Sequence, residues 1–377
     1  MKTIILLSAT LLLMLFVNAQ IVNIPDANFK AALVNDTTIN TNQDGEIQVS
    51  EASSYTGTID VNSMNISDLT GIEAFTVLTA LHCYSNQLSS LDVSNNTALT
   101  FLRCNNNPLN ILDISNNVVL DTLVCQYNNL STLNVSNNIN LILLLCNYNQ
   151  IITLDVSNNT YLEYLGCEHN QLSGLVIGNC TNLYSLFCFS NQLTTLDVSG
   201  CTALGTFLCQ SNQLTTLDVS NNPNLYIFEC NTNQLNTLDV KNGNNINLPM
   251  FWATNNPFLY CIEVDDSTWS AANWTDIDPQ SYFSENCMVN TPNQLQTQEL
   301  KLAPNPFNEK LSVLLPDNTN ADNIEIALYN VLGKQIKVST EKANNEIIIN
   351  GANLHSGIYF VELTTNKQVI TKRVIKQ

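Results

Sequence analysis

The amino-acid sequence predicts a mainly β solenoid of 21-residue repeats, with parallel strands on both long sides, a short helical N-terminal cap and a separate C-terminal β-sandwich. Three observations carry this reading. Eight of the twelve cysteines stand at 83, 104, 125, 146, 167, 188, 209 and 230, each 21 residues after the last, and a constant period of that size marks stacked, near-identical turns. The pattern around the cysteines is L-x-x-L-x-C-x-x-N-x-L, as in Leu78, Leu81, Cys83, Asn86 and Leu88, and again in Leu99, Leu102, Cys104, Asn107 and Leu109. After a polar segment at 288–298 the composition changes, and short strand-like runs continue to Gln377.

The chain opens on Lys2, an apolar run from Ile4 to Val17, and small residues at Val17 and Ala19. This predicts a secretory signal over 1–19, cleaved after Ala19. No later stretch approaches the ~18 unbroken apolar residues of a spanning helix, so an exported chain that does not span a membrane is expected. Between Gln20 and Gln298 there are 24 acidic residues against three bases (Lys30, Arg103 and Lys241), a balance of −21. From Glu299 onward eight acids meet nine bases. So acidic a body repels phosphate backbones, which excludes nucleic acid as a partner. Simple solubility is the weightier reading of that charge, and attraction for divalent cations the lesser one.

The cap is expected over 20–58. Pro25 to Val34 reads as a short helix with proline near its start. Asn40 to Glu51 fits D-x-[DN]-x-[DN]-G-x5-E apart from asparagine at the first place. It resembles an EF-hand or dockerin calcium loop, in which Gly45 allows the sharp turn and Ile47 points inward. Carried over by position, the ligands would be Asn40, Asn42, Asp44, the Glu46 carbonyl, Gln48 through water, and Glu51. Calcium is the one cofactor expected. A capping loop that folds without metal is an equal reading, and the placement resembles the helical caps that open internalin-type repeat proteins.

The repeats span 59–260 and resemble the leucine-rich-repeat family, with cysteine at an inward position usually held by leucine. The second half of each repeat, such as Leu91-Asp92-Val93-Ser94-Asn95-Asn96, copies the first at about half a period. Its alternation of inward Leu and Val with outward Asp and Ser is a strand period. The cysteines are expected to fill the core as small apolar residues. No C-x-x-C pair and only three histidines speak for metal. The asparagines from Asn86 to Asn233 are expected to form a ladder that satisfies buried backbone groups. Cys180 and Cys201 stand one rung apart in a second asparagine ladder, where a strained disulfide is not favoured. Cys261 and Cys287 flank Trp269, Trp274 and Tyr282, and a disulfide between them would staple a C-terminal cap over 261–287.

Residues 299–377 carry Leu302-Ala303-Pro304-Asn305-Pro306-Phe307, then Ala327 to Lys334, then Leu354-His355-Ser356-Gly357-Ile358-Tyr359. They resemble the type A C-terminal sorting domain of the type IX secretion system. That resemblance implies delivery by the type IX machinery to the outside or outer surface of a Gram-negative bacterium. It also implies removal of the domain near the linker at 288–298.

An enzyme is not expected, because the histidines are isolated and the outward aspartates (Asp92, Asp113, Asp155, Asp197, Asp218, Asp239) form a row suited to bonding neighbouring turns. The outward positions of the cysteine-bearing strands vary from rung to rung, which marks them as the recognition face. Tyr127, Tyr148, His169, Phe187, Phe189 and Trp252 are the candidate partner-binding residues, for an extracellular protein or glycan. The alternative function is a structural surface-layer or calcium-bridged adhesion protein using the aspartate columns.

Overall fold

The computed structural model describes residues 20–178, 180–287, 301–314, 325–330, 334–343, 346–364 and 369–377. The signal segment 1–19 and the linker 288–298 lie outside the described residues. The chain divides into two compact units, one ending at Asn286 and one beginning at Cys287.

In the first unit the cap helix spans Ala27–Asn35, with Asp26 as its N-cap accepting from the Asn28 and Phe29 amides. Pro25 therefore stands one residue before the cap and outside the first turn, because the Asp26 carboxylate, and not the proline ring, satisfies the free N–H groups. The second oxygen of Asp26 accepts the Ser67 amide and hydroxyl, tying the cap to the first repeat. Phe29, Leu33 and Ile47 are buried in the same core as the repeat leucines. The junction near residue 58 thus separates motifs that share one core.

The repeats build a ten-stranded parallel sheet from Thr58–Asp60 to Met250–Trp252. Each strand is three residues long, and its central side chain (Ile59, Leu81, Leu102 and onward to Phe251) points inward. Rungs pair in straight register, as Leu81 with Leu102 and Leu123 with Leu144, so identical side chains stack in columns. All eight period cysteines are fully buried and free. Burial pushes the Cys104 and Cys146 thiols up to about 12. Enclosed among the inward leucines, these thiols pack as small apolar side chains, so this column is core.

Three residues after each cysteine stands the asparagine ladder. Asn149 donates to the Cys125 and Cys146 carbonyls, each at 3.0 Å, and accepts the Leu130 amide at 3.0 Å. Each such amide ties its own rung to the one before it.

On the opposite side strands occur in blocks. Thr153–Asp155 pairs with Gly174–Val176, and Thr216–Asp218, Thr237–Asp239, Cys261–Glu263 and Tyr282–Ser284 form a second group. The outward aspartates bond within their own turn and not to the next: Asp92, Asp155, Asp197 and Asp218 each accept the amide two residues on. The short side chain reaches that N–H before it reaches another rung. The second ladder (Asn96, Asn117, Asn138, Asn159, Asn222) donates to two carbonyls per rung, while its Oδ1 atoms are buried without a partner. Cys180 and Cys201 occupy this column as free thiols, and Cys180 Sγ lies 2.8 Å from the Ile177 carbonyl.

At the far end the inward column turns aromatic. Phe207 and Phe228 stack with centroids 5.4 Å apart, and Phe251 then meets Trp274 at 4.5 Å. Trp274 follows the helix Ser267–Asn273, is buried, and donates its indole N–H to the Leu248 carbonyl. It covers apolar surface that the last rung would otherwise expose. Cys261 and Cys287 are disulfide-bonded.

The second unit holds two four-stranded antiparallel sheets. One contains Lys310–Leu314 and Glu346–Asn350, the other Glu325–Asn330, Gly357–Thr364 and Val369–Lys376. Leu311, Val313, Ile347 and Ile349 from one sheet meet Leu328, Val361, Leu363 and Val374 from the other. That is a β-sandwich with a core of its own.

Candidate recognition face

The ten-stranded sheet presents two outward columns, since residues on either side of each inward leucine point away from the core. Over the middle rungs these columns mix apolar and aromatic residues (Leu143, Leu145, Tyr164, Phe187, Leu208 and Ile227) with Thr122, Ser185, Thr206 and Glu229. At the N-terminal end they are polar, with His82 packed edge-on against Phe101 and 3.6 Å from Asp60.

Tyr127, Tyr148 and His169 lie two residues beyond the cysteines, in the turn that borders the sheet and not on the strands. Their φ angles are 53°, 54° and 53°, the left-handed region that bulky side chains rarely adopt. Every rung has a residue in this conformation, from Ser85 to Asn255, because the asparagine ladder requires the chain to turn there. The three rings form one stack: Tyr127 and Tyr148 are 4.3 Å apart at 9°, Tyr148 and His169 4.2 Å apart at 19°. Phe189 continues it edge-on at 5.2 Å from His169. Phe187 stands apart on its strand, edge-on to Tyr164 at 5.1 Å. Trp252 lies on the last strand, three strands beyond Phe187, outside this aromatic group.

Sequence reasoning followed only one outward column and missed four tyrosines and an acid. Tyr164 is on the other column. Tyr161, Tyr184 and Tyr226 edge the sheet at more than half exposure. A Cβ at Gly205 would come within 2.6 Å of Tyr184 Cε2 and 2.8 Å of Cζ, so Gly205 leaves room for that ring to lie across the next rung. The glycine one period after Tyr184 was the available signal. Glu168 is the acid. Burial raises its carboxyl above the ordinary range, and its Oε2 is enclosed without a hydrogen-bond donor.

In the cap, Asn42, Asp44, Gln48 and Glu51 of the calcium-like loop bond to one another, whereas the Asn40 and Glu46 side chains bond elsewhere. Glu51 accepts the amides of Thr41, Asn42 and Gln48 and the Thr41 hydroxyl. Asn42 and Gln48 direct side-chain N–H groups at Asp44 Oδ2, Glu46 pairs with Lys30 at 2.6 Å, and Asn40 donates to the Val34 carbonyl. A calcium shell needs oxygens converging on one point, and this donor set does not fit it as arranged. Glu51 is also the third residue of the helix Val49–Ser54, where a carboxylate closes the helix start. Burial opposes its ionisation, but the N–H groups of Gln48, Thr41 and Asn42 outweigh that and lower its titration. A carboxyl lowered in the folded state stabilises above its unfolded pKa, and the gain is lost as pH falls through the folded value. Glu51→Gln is expected to cost about 1 kcal/mol of cap stability at neutral pH and less in acid, read as faster amide exchange in 36–54. Equal exchange in both proteins would remove the capping role.

The second unit decides the chain's destination. Residues 301–377 match the family model described as the secretion system C-terminal sorting domain. This segment is a type IX secretion sorting domain. With the repeats described above, the chain is a leucine-rich-repeat protein with a sorting domain at 301–377, delivered to the cell surface or the extracellular space. Among the described residues no helix is long and apolar enough to cross a membrane. No curated protein matches the chain. Among solved structures it is similar to the functional domain of InlJ from Listeria monocytogenes, whose title notes a cysteine ladder. Identity is 22%, coverage 95% of this chain and 100% of that one, and the TM-score 0.49. Internalin C2 of the same organism is also 22% identical, covering 56% of this chain and 93% of its own with a TM-score of 0.45. A leucine-rich-repeat protein of Leptospira interrogans is 17% identical, covering 60% and 83% with a TM-score of 0.34.

Proposed function

We propose that the repeat body is a non-enzymatic extracellular binding scaffold whose partner, a protein or a glycan, sits on the ten-stranded sheet. The observation that carries this is the contrast between a regular scaffold and one irregular, aromatic face. The inward columns repeat rung after rung, whereas the outward columns change at each rung and the turn bordering them holds the ring stack from Tyr127 to Phe189. A soluble domain keeps such a face only where something covers it. His82 and His169 are engaged in ring packing and not in a nucleophile–base pair. Because Tyr148 is stacked on both sides, it offers edges and a hydroxyl and no free face for a sugar ring, which favours a protein.

Tyr148→Ala and Phe189→Ala are each expected to weaken capture on native cell surfaces by about 1–2 kcal/mol, with the thermal unfolding midpoint little changed. Asp197→Asn on the opposite side should do much less. If the aromatic changes leave capture intact while aspartate changes abolish it, the structural or calcium-bridged adhesion reading takes over.

A further inference from the structure

Resting on the sheet as the recognition surface, we propose that Glu168 at its centre is the counter-ion for a basic side chain, an arginine or lysine of a protein partner.

The carboxylate lies over Gly166, where a side chain is missing. A Cβ there would sit 3.3 Å from Glu168 Oε2 and 2.9 Å from Leu145 Cδ2. The glycine leaves the space into which the acid folds against the sheet, between Leu145 and Tyr164. The Tyr148–His169 stack stands beside it, and Phe187 closes on Tyr164. An enclosed carboxylate oxygen without a donor is costly unless a cation or donor reaches it.

No base of the repeat body does so. Lys30 is paired with Glu46. Arg103 lies 4.2 Å over the Tyr84 ring and donates to Asn105. Lys241 donates to the Glu285 carbonyl. Those three are all the lysines and arginines between Gln20 and Gln298, so the repeat body supplies this carboxylate with no cation of its own. The surroundings suit it: electron-rich ring faces attract a guanidinium or ammonium group, and a body with a balance of −21 steers basic partners inward. A neutral glycan would leave the carboxylate unanswered.

The test uses the purified protein and the blocked tripeptide Gly-Arg-Gly, with its lysine counterpart and its neutral citrulline counterpart, titrated by nuclear magnetic resonance. The arginine or lysine peptide should bind about tenfold more tightly than the citrulline peptide. Glu168→Gln should erase that preference, and Gly166→Ala should reduce it by displacing the carboxylate. Glu163→Gln removes the same charge from an exposed position and should leave the preference whole. Equal binding of the citrulline peptide, or equal losses in Glu163→Gln and Glu168→Gln, would overturn the proposal. Should the peptides show no preference while Tyr148→Ala still weakens surface capture, the sheet keeps its role and the basic partner is rejected. If capture is also unaffected, both readings fall. Amide spectra of Glu168→Gln check the fold, and Gly166→Ala decides the matter if that variant unfolds.

Discussion

Deleting residues 301–377 is expected to abolish surface delivery altogether while leaving the repeat body folded. The two halves of this expectation rest on different observations. Delivery depends on the segment that matches the sorting-domain family. Folding does not, because the core of the first unit runs from Val22 to Trp274 and takes no residue from 301–377. Leu311, Val361 and their neighbours form a second core by themselves. The truncated chain should therefore accumulate inside the outer membrane, with the circular dichroism and unfolding midpoint of the mature body. In the full chain, mass spectrometry of the surface or medium fraction should find protein that begins near Gln20 and lacks the region after about Gln298. Truncated protein at the surface in wild-type amounts would show that the domain is dispensable for export. Secreted protein retaining Lys372 to Gln377 would count against its removal.

The solenoid was legible because its physics is periodic. A 21-residue spacing of cysteines, a leucine or phenylalanine two residues before each and an asparagine three after are local facts that force stacked columns once strands pair in register. The candidate site was legible in part. Alternation showed which strand residues face outward, but it carries no information on backbone handedness. Tyr127, Tyr148 and His169 therefore turned out to be left-handed turn residues at the sheet's border. Trp252 shared their outward pattern but not their neighbourhood, which depends on the rung and not on the motif. Glu168 could not be found from its own turn, since its burial depends on Gly166 and on Leu145 one rung away. The cap shows two motifs overlapping. The last place of a calcium loop and the third residue of the following helix are both Glu51: the Gln48 amide bond closes the helix start, and the bonds from Thr41 and Asn42 close the loop.

Asn149→Ala is expected to destabilise the body by roughly 3–5 kcal/mol, more than any change on the recognition face. The side chain is buried, gives two hydrogen bonds and takes one. Truncation leaves the buried Leu130 N–H without a partner and takes one of two ladder bonds from each carbonyl, because Asn128 still donates to Cys125 and Asn170 to Cys146. The Leu130 and Cys125 groups belong to the rung before Asn149, so the loss cuts the side-chain tie between those two rungs. The second ladder gives an internal comparison. Asn138 donates to Ile114 and Asn117, but its Oδ1 has no partner, so Asn138→Ala should cost only about 2 kcal/mol. Asn138→Cys should cost less again, because Cys180 and Cys201 already hold that column with a thiol donor alone. At Asn149 a thiol could not accept the Leu130 amide as the carboxamide oxygen does, so Asn149→Cys should stay close to alanine. Urea unfolding of the four variants reads these differences as midpoint shifts at constant slope. A cost at Asn138 equal to that at Asn149 would show that the accepting oxygen contributes nothing and that the two ladders act only as donors.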